Sequence, residues 1–222
     1  MGQREDHGGP ITVALIDDHP AVLDGIRHWY ASAPQPIEVV AAGPDLRTAW
    51  VEPGGSADVV VLDLQLGAQG PVFADLVRLV DAGRRVVVYT MRDDDRTMLH
   101  CLDIGAATFV TKAEGGDHLV EATLAAAQNR PCTPPALAGA IGSNARSSRP
   151  HLSAREQEVL VEWFQSESKV LVAEQLGLSV RTVNTYLDRV RIKYANAGRS
   201  AGTKAALVAR AIQDGLVDVE EL

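Results

Sequence analysis

Apolar residues in the first part of the chain fall in short consecutive runs: ITVALI before Asp17, DVVVL before Asp63, RVVVY before Thr90 and ATFVT before Lys112. Consecutive rather than alternating apolar positions suit strands covered on both faces, as in a parallel sheet. Strands are expected over about 11–17, 37–42, 58–63, 85–90 and 107–111. Helical spacing is expected over about 20–32, 45–51, 70–82, 94–104 and 115–129. Strand alternating with helix predicts an α/β fold, a doubly wound five-stranded parallel sheet. Right-handed crossovers leave few topologies for it.

The rhythm stops at NRPCTPPALAGAIGSNARSSRP, residues 129–150, a stretch rich in Pro, Gly, Ser and Ala that reads as an interdomain linker. Within it, PPALAGAIG could form a short helix docked on either neighbour. Beyond it the pattern is all helical. Ser153 with Glu156 makes a capping box, and Leu152, Val159, Leu160 and Phe164 supply an apolar stripe. Further helices are expected over about 169–176, ending at Gly177, from after Ser179 to about Tyr194, and over about 203–215. The expected division is a disordered N-terminus (1–10), an α/β domain (11–129), a linker (130–150) and a smaller all-α domain (151–222).

Composition narrows the class. With 46% hydrophobic and 23% charged residues the chain is an ordinary globular protein. It shows no membrane-length apolar run and no signal-peptide core, so a cytoplasmic protein with no membrane partner is expected. Cys101 and Cys132 have no metal or redox spacing. The net charge is −8, yet residues 179–204 hold Arg181, Arg189, Arg191, Lys193, Arg199 and Lys204 against Asp188 alone, which is +5. A local basic stripe of that kind outweighs the global sum for nucleic-acid binding.

Two groups of residues carry candidate chemistry. In open α/β sheets ligands bind beyond the carboxyl ends of the strands, where the apolar runs place Asp17, Asp18, Asp63, Thr90 and Lys112. Three carboxylates, a hydroxyl and an ammonium suit a divalent cation and a phosphoryl group. Asp63 is the candidate nucleophile and phospho-acceptor. Magnesium prefers hard oxygens, here those of Asp17, Asp18 and Asp63 and the backbone carbonyl of Gln65. Lys112 would neutralise phosphoryl oxygens and Thr90 would donate a hydroxyl hydrogen bond. The second group lies on the helix after Ser179. Val183, Leu187 and Val190 fall on one face with Tyr194 extending it, so Arg181, Asn184, Thr185, Asp188 and Arg191 point away. Arg suits guanine, Asn suits adenine, and Asp can accept from a cytosine amino group. Thr182, Arg189 and Lys193 suit phosphates.

Residues 11–129 resemble a response-regulator receiver domain through IDDHPAVLDGI, VVVLDLQLG, VVVYT and GAATFVTK. Residues 152–215 resemble the LuxR/NarL-type helix-turn-helix domain through LSAREQEVL, VAEQLGLSVRTVNTYLDRVRIKY and TKAALVARAI. The resemblance implies a flavodoxin-like sheet, magnesium at the acidic pair, phosphorylation of Asp63, and Thr90 with Phe109 as switch residues. It also implies a histidine kinase as phosphoryl donor, double-stranded DNA as ligand and a homodimer. Departures from the family pattern are Leu66-Gly67 where Met-Pro is common, Ala113 after the lysine where Pro is common, and Asn184 where Lys is usual. An alternative keeps the fold and makes the receiver a phosphorylation-independent dimerisation module. Haloacid-dehalogenase-like phosphatases need a second Asp two residues beyond the nucleophile. Gln65 stands there, so no enzyme activity is expected beyond the receiver's own phosphorylation and dephosphorylation.

Overall fold

The computed structural model describes residues 9–67, 70–143, 150, 152–166 and 168–217. Most of the N-terminal segment 1–10, expected to be disordered, lies outside them. Five parallel strands, β1 (Ile11–Ile16), β2 (Ile37–Gly43), β3 (Val59–Leu62), β4 (Val86–Thr90) and β5 (Thr108–Thr111), form one sheet in the order β2-β1-β3-β4-β5. Its helices are α1 (Pro20–Ala31), α2 (Phe73–Asp81), α3 (Asp95–Ile104) and α4 (Gly116–Ala127). Successive strand residues face opposite sides, so the continuous apolar runs feed two cores. Val13, Leu15, Val59, Val61, Val87 and Val110 pack with Leu23, Ile26, Leu119 and Ala122 of α1 and α4. On the other face Ile16, Val60, Leu62, Val86, Val88 and Phe109 pack with Leu76, Leu79, Met98 and Cys101 of α2 and α3.

One expected element differs. No α-helix covers 45–51. A 3-10 turn at Leu46–Ala49, capped by Asp45, is followed by a cis Glu52–Pro53 bond and a second 3-10 turn at Gly54–Ser56. The Pro53-Gly54-Gly55 run cannot continue a helix, and Gly54 is pressed so close that a Cβ there would lie 1.9 Å from the Thr48 carbonyl oxygen. Trp50 and Val51 are left exposed as a result. The stretch 130–150 includes the short helix that PPALAGAIG allows. This helix is α5 (Pro135–Ser143), whose Leu137 and Ala140 are buried in the core on the α2 and α3 side. Glu114 accepts a hydrogen bond from Ala136 N at 2.9 Å and so caps the start of α5.

The C-terminal domain has four described helices: α6 (Ala154–Gln165), α7 (Lys169–Leu176), α8 (Val180–Asn196) and α9 (Lys204–Gln213). Ser153 and Glu156 form the expected capping box, while Ser168, Ser179 and Thr203 cap the next three helices. Gly177, at φ +63, ends α7 in the left-handed region and allows the tight turn into α8. Val183, Leu187, Val190 and Tyr194 are fully buried in one cluster with Val159, Leu160 and Leu207. No helix among the described residues is long and apolar enough to cross a membrane.

Candidate phosphoryl site and nucleic-acid interface

Asp17 follows β1, Asp63 follows β3, Thr90 ends β4 and Lys112 follows β5, so strand termini alone bring them to one edge. Asp17, Asp18, His19 and Asp63 each offer a ligand atom within 4.8 Å of the others. Lys112 Nζ lies 2.6 Å from Asp17 Oδ2 and 2.6 Å from Asp63 Oδ2. Burial pushes the Lys112 pKa down, but hydrogen bonds and charge from Asp17 and Asp63 outweigh it and leave the ammonium above its ordinary range. Asp63 Oδ1 also accepts from Gln65 N at 3.0 Å. Asp18 Oδ2 accepts from Gly67 N at 2.8 Å, a bond made possible by Gly67 at φ +67. That amide holds the Asp18 carboxyl below its usual range, against a smaller opposing effect of burial.

These residues fit a divalent cation and an oxyanion. Three carboxylates face one ammonium, leaving excess negative charge on hard oxygens. The Thr90 hydroxyl is buried with no hydrogen-bond partner among the described residues, and a buried hydroxyl without a partner is costly. An oxyanion arriving beside Asp63 would supply one. Phe109 is fully buried in the core cluster that also holds Leu64, Met98 and Leu137.

At the opposite, amino edge of the sheet the helical domain is docked. The Tyr186 hydroxyl donates between the Val80 and Asp81 carbonyls, at 3.1 and 3.0 Å. Arg189 donates to the Val80 carbonyl at 3.2 Å and to the Arg84 carbonyl. Helix C-termini present unpaired carbonyls and a partial negative charge, so the end of α2 suits a guanidinium. Burial of Arg189 nonetheless pushes its pKa down. A Cβ on Gly83, at φ +77, would meet Thr182 Cγ2 at 2.7 Å. Arg181 pairs with Asp58 at 3.5 Å.

The remaining polar residues of α8 are engaged within their own domain. Asn184 Oδ1 accepts from Lys169 Nζ at 2.5 Å, Asp188 pairs with Arg191 at 2.7 Å and Lys193 pairs with buried Glu156 at 2.8 Å. Thr185 is buried and donates to the Arg181 carbonyl at 3.0 Å. Lys169, Arg191 and Lys204 gather around the Trp163 ring at 6.0, 5.6 and 5.4 Å from its centroid.

Residues 13–124 match the family described as response regulator receiver domain, and residues 150–201 match bacterial regulatory proteins of the luxR family. The chain is a response regulator of the NarL/LuxR type. It is therefore a DNA-binding transcriptional regulator under phosphorylation control. This response regulator is 30% identical to the probable transcriptional regulatory protein NarL of Mycobacterium tuberculosis, over 94% of this chain and 96% of the relative. It is 28% identical to the transcriptional regulatory protein LiaR of Bacillus subtilis, over 90% of this chain and 96% of the relative. A LuxR-family two-component response regulator from Aurantimonas superposes with a TM-score of 0.55 at 28% identity, covering 63% of this chain and 100% of that one. The RcsB–DNA complex shares the fold, with a TM-score of 0.54 at 22% identity, covering 92% of this chain and 98% of that one. Receiver domains bind Mg2+ at an acidic pocket, and this response regulator has an acidic cluster of Asp17, Asp18 and Asp63.

The structure thus brings Asp17, Asp18, Asp63 and Lys112 together at the carboxyl edge, with Thr90 at the end of β4 on the same edge, and scatters the eight on α8 among different partners. Sequence reasoning missed four residues. His19 has Nδ1 2.9 Å from Asp18 and 3.2 Å from Asp17; its place next to the acidic pair was the available signal. Tyr186 and Lys169 gave none, because their contacts come from other elements. Glu114 could have been found from its spacing to Thr111, which forms a capping box.

Proposed function

We propose that Asp63 accepts a phosphoryl group from the phosphohistidine of a histidine kinase, and that this charge governs whether α8 is free to read double-stranded DNA. The observation that carries the reading is the Lys112 ammonium 2.6 Å from Asp63, on the edge where the buried Thr90 hydroxyl has no partner among the described residues. In the transfer the histidine N–P bond breaks and a bond from an Asp63 carboxylate oxygen to phosphorus forms, leaving an acyl phosphate and, with a proton carried on the ring's other nitrogen, a neutral imidazole. Lys112 balances charge on the phosphoryl oxygens, and Thr90 donates to one of them. Asp17, Asp18, Asp63 and the Gln65 carbonyl would hold Mg2+. When bound, the ion supplies the charge neutralisation that lets an anionic carboxylate approach an anionic donor.

Arg181, Asn184, Thr185, Asp188 and Arg191 are assigned to base edges, and Thr182, Arg189 and Lys193 to phosphates. The docked arrangement is incompatible with that use. A helix fills a major groove of about 12 Å, and here the Thr182, Tyr186 and Arg189 flank of α8 is packed on the receiver. Opening the contact frees α8, and a homodimer would present two copies to half-sites about one helical turn apart. Chemistry at Asp63 is limited to its own phosphorylation and hydrolysis. Treatment with acetyl phosphate and Mg2+, followed by phosphate-affinity gels, should shift the wild type and leave Asp63→Asn unshifted. Equal DNA binding by both proteins after treatment would favour a receiver that only dimerises.

A further inference from the structure

Asn184 lies on the flank of α8 away from its buried stripe, and Lys169 opens the helix before it. Their side chains meet, with Lys169 Nζ 2.5 Å from Asn184 Oδ1. An ammonium carries three donors and no acceptor, so the amide atom that it meets is the oxygen and the amide nitrogen is turned away. Lys169 is steadied over the Trp163 ring at 6.0 Å, beside Arg191 on the same ring at 5.6 Å. Both partners belong to the helical domain, so their contact does not depend on the docked receiver.

This pairing changes what Asn184 can read. A lone Asn offers one donor side and one acceptor, which matches the N7 acceptor and N6 amino donor of adenine. With one of the two Oδ1 lone pairs engaged by an ammonium, the pair presents mainly donors. The adenine amino group would then have to share Oδ1 with the ammonium. Guanine presents two acceptors, N7 and O6, on the same edge. We propose that Lys169 and Asn184 act as one unit that reads guanine in the major groove, the amide N–H taking one acceptor and the ammonium the other. This rests on the reading of α8 as the DNA-reading helix, and it replaces the adenine expected from Asn184 alone.

The test is selection from a random duplex pool by the full-length protein activated with beryllofluoride and Mg2+, repeated with Lys169→Met and Asn184→Ala. The wild type is expected to enrich a motif with a guanine in each half-site. Asn184→Ala should lose discrimination at that base, and Lys169→Met should move its preference from guanine towards adenine by about tenfold. If the base lost in Asn184→Ala is adenine in the wild type, or if Lys169→Met selects the same motif as the wild type, the assignment is overturned. If none of the three proteins enriches any sequence, the reading of α8 fails and the guanine assignment falls with it. Retained helical circular dichroism in each variant separates these outcomes from misfolding.

Discussion

At the carboxyl edge of the receiver sheet, Asp17, Asp18 and Asp63 face one lysine, and the Thr90 hydroxyl has no partner among the described residues. At the amino edge the acceptors are backbone carbonyls of Val80, Asp81 and Arg84, and Tyr186 and Arg189 already engage them. On the proposed function one edge is completed by something that arrives; the other is complete already and would lose contacts for α8 to leave. The strands between are four to seven residues long, so the edges are separated by roughly 13–23 Å at about 3.3 Å per residue. One element that joins them is α2. The loop after Asp63 leads into α2, and the carbonyls that hold Arg189 belong to the last residues of α2 and the turn beyond. A small displacement of α2 as a rigid body would alter both edges at once, which makes the amino edge the place to test the coupling.

The largest effect is expected from Gly83→Asn. Asn tolerates a positive φ better than other side chains, so the receiver should fold. Its Cβ would still lie 2.7 Å from Thr182. Such overpacking costs about 1–3 kcal/mol, and here only in the docked state. Unphosphorylated Gly83→Asn should therefore bind duplex DNA about tenfold more tightly than the unphosphorylated wild type, as read by fluorescence anisotropy. Gly83 is on the receiver and has no assigned role on DNA. An unchanged affinity would mean that the contact does not restrain α8.

The two edges were not equally legible in the sequence. The carboxyl edge could be read because each of its residues follows an apolar run, and strand direction does the rest. Asp63, Thr90 and Lys112 need no knowledge of long-range packing beyond the parallel sheet itself. The amino edge could not. Tyr186 and Arg189 sit beside the stripe of Val183, Leu187, Val190 and Tyr194, where periodicity places surface residues. Their burial is set by another domain more than a hundred residues away. The 45–51 stretch failed for a local reason: Leu46, Ala49 and Trp50 have helical spacing, but Pro53 and the crowding at Gly54 end the turn early. The helix inside 130–150 was foreseen as possible, but its burial depends on Leu137 and Ala140 finding the α2 and α3 side of the sheet.

A smaller effect is expected from Tyr186→Phe. The ring stays and only the hydroxyl bonds to the Val80 and Asp81 carbonyls are lost. A neutral hydrogen bond contributes about 0.5–1.5 kcal/mol net, so docking should weaken a few-fold. Hydrogen exchange at α8 amides should quicken modestly, while phosphate-affinity gels still show a normal shift at Asp63. If the variant lost phosphorylation as well, the two edges would be coupled more tightly than one hydroxyl can account for.

The smallest effect separates the edges by pH. Burial beside the receiver pushes the Tyr186 hydroxyl up to about 12 from its ordinary 10, with Asp81 adding to the rise and Arg189 opposing it. The neutral form is the one that donates to the two carbonyls. Below pH 10 both docked and released states carry the proton, and the contribution to docking is whole. As pH climbs from 10 towards 12 the released state gives up its proton first, so ionisation favours release and docking weakens over that window. Interdomain fluorescence transfer, followed over that range, should fall earlier in the wild type than in Tyr186→Phe, which has nothing to ionise at this position. Superimposable curves would show that the hydroxyl is not what the amino edge holds on to, and would leave Arg189 as the group that fixes α8 to the end of α2.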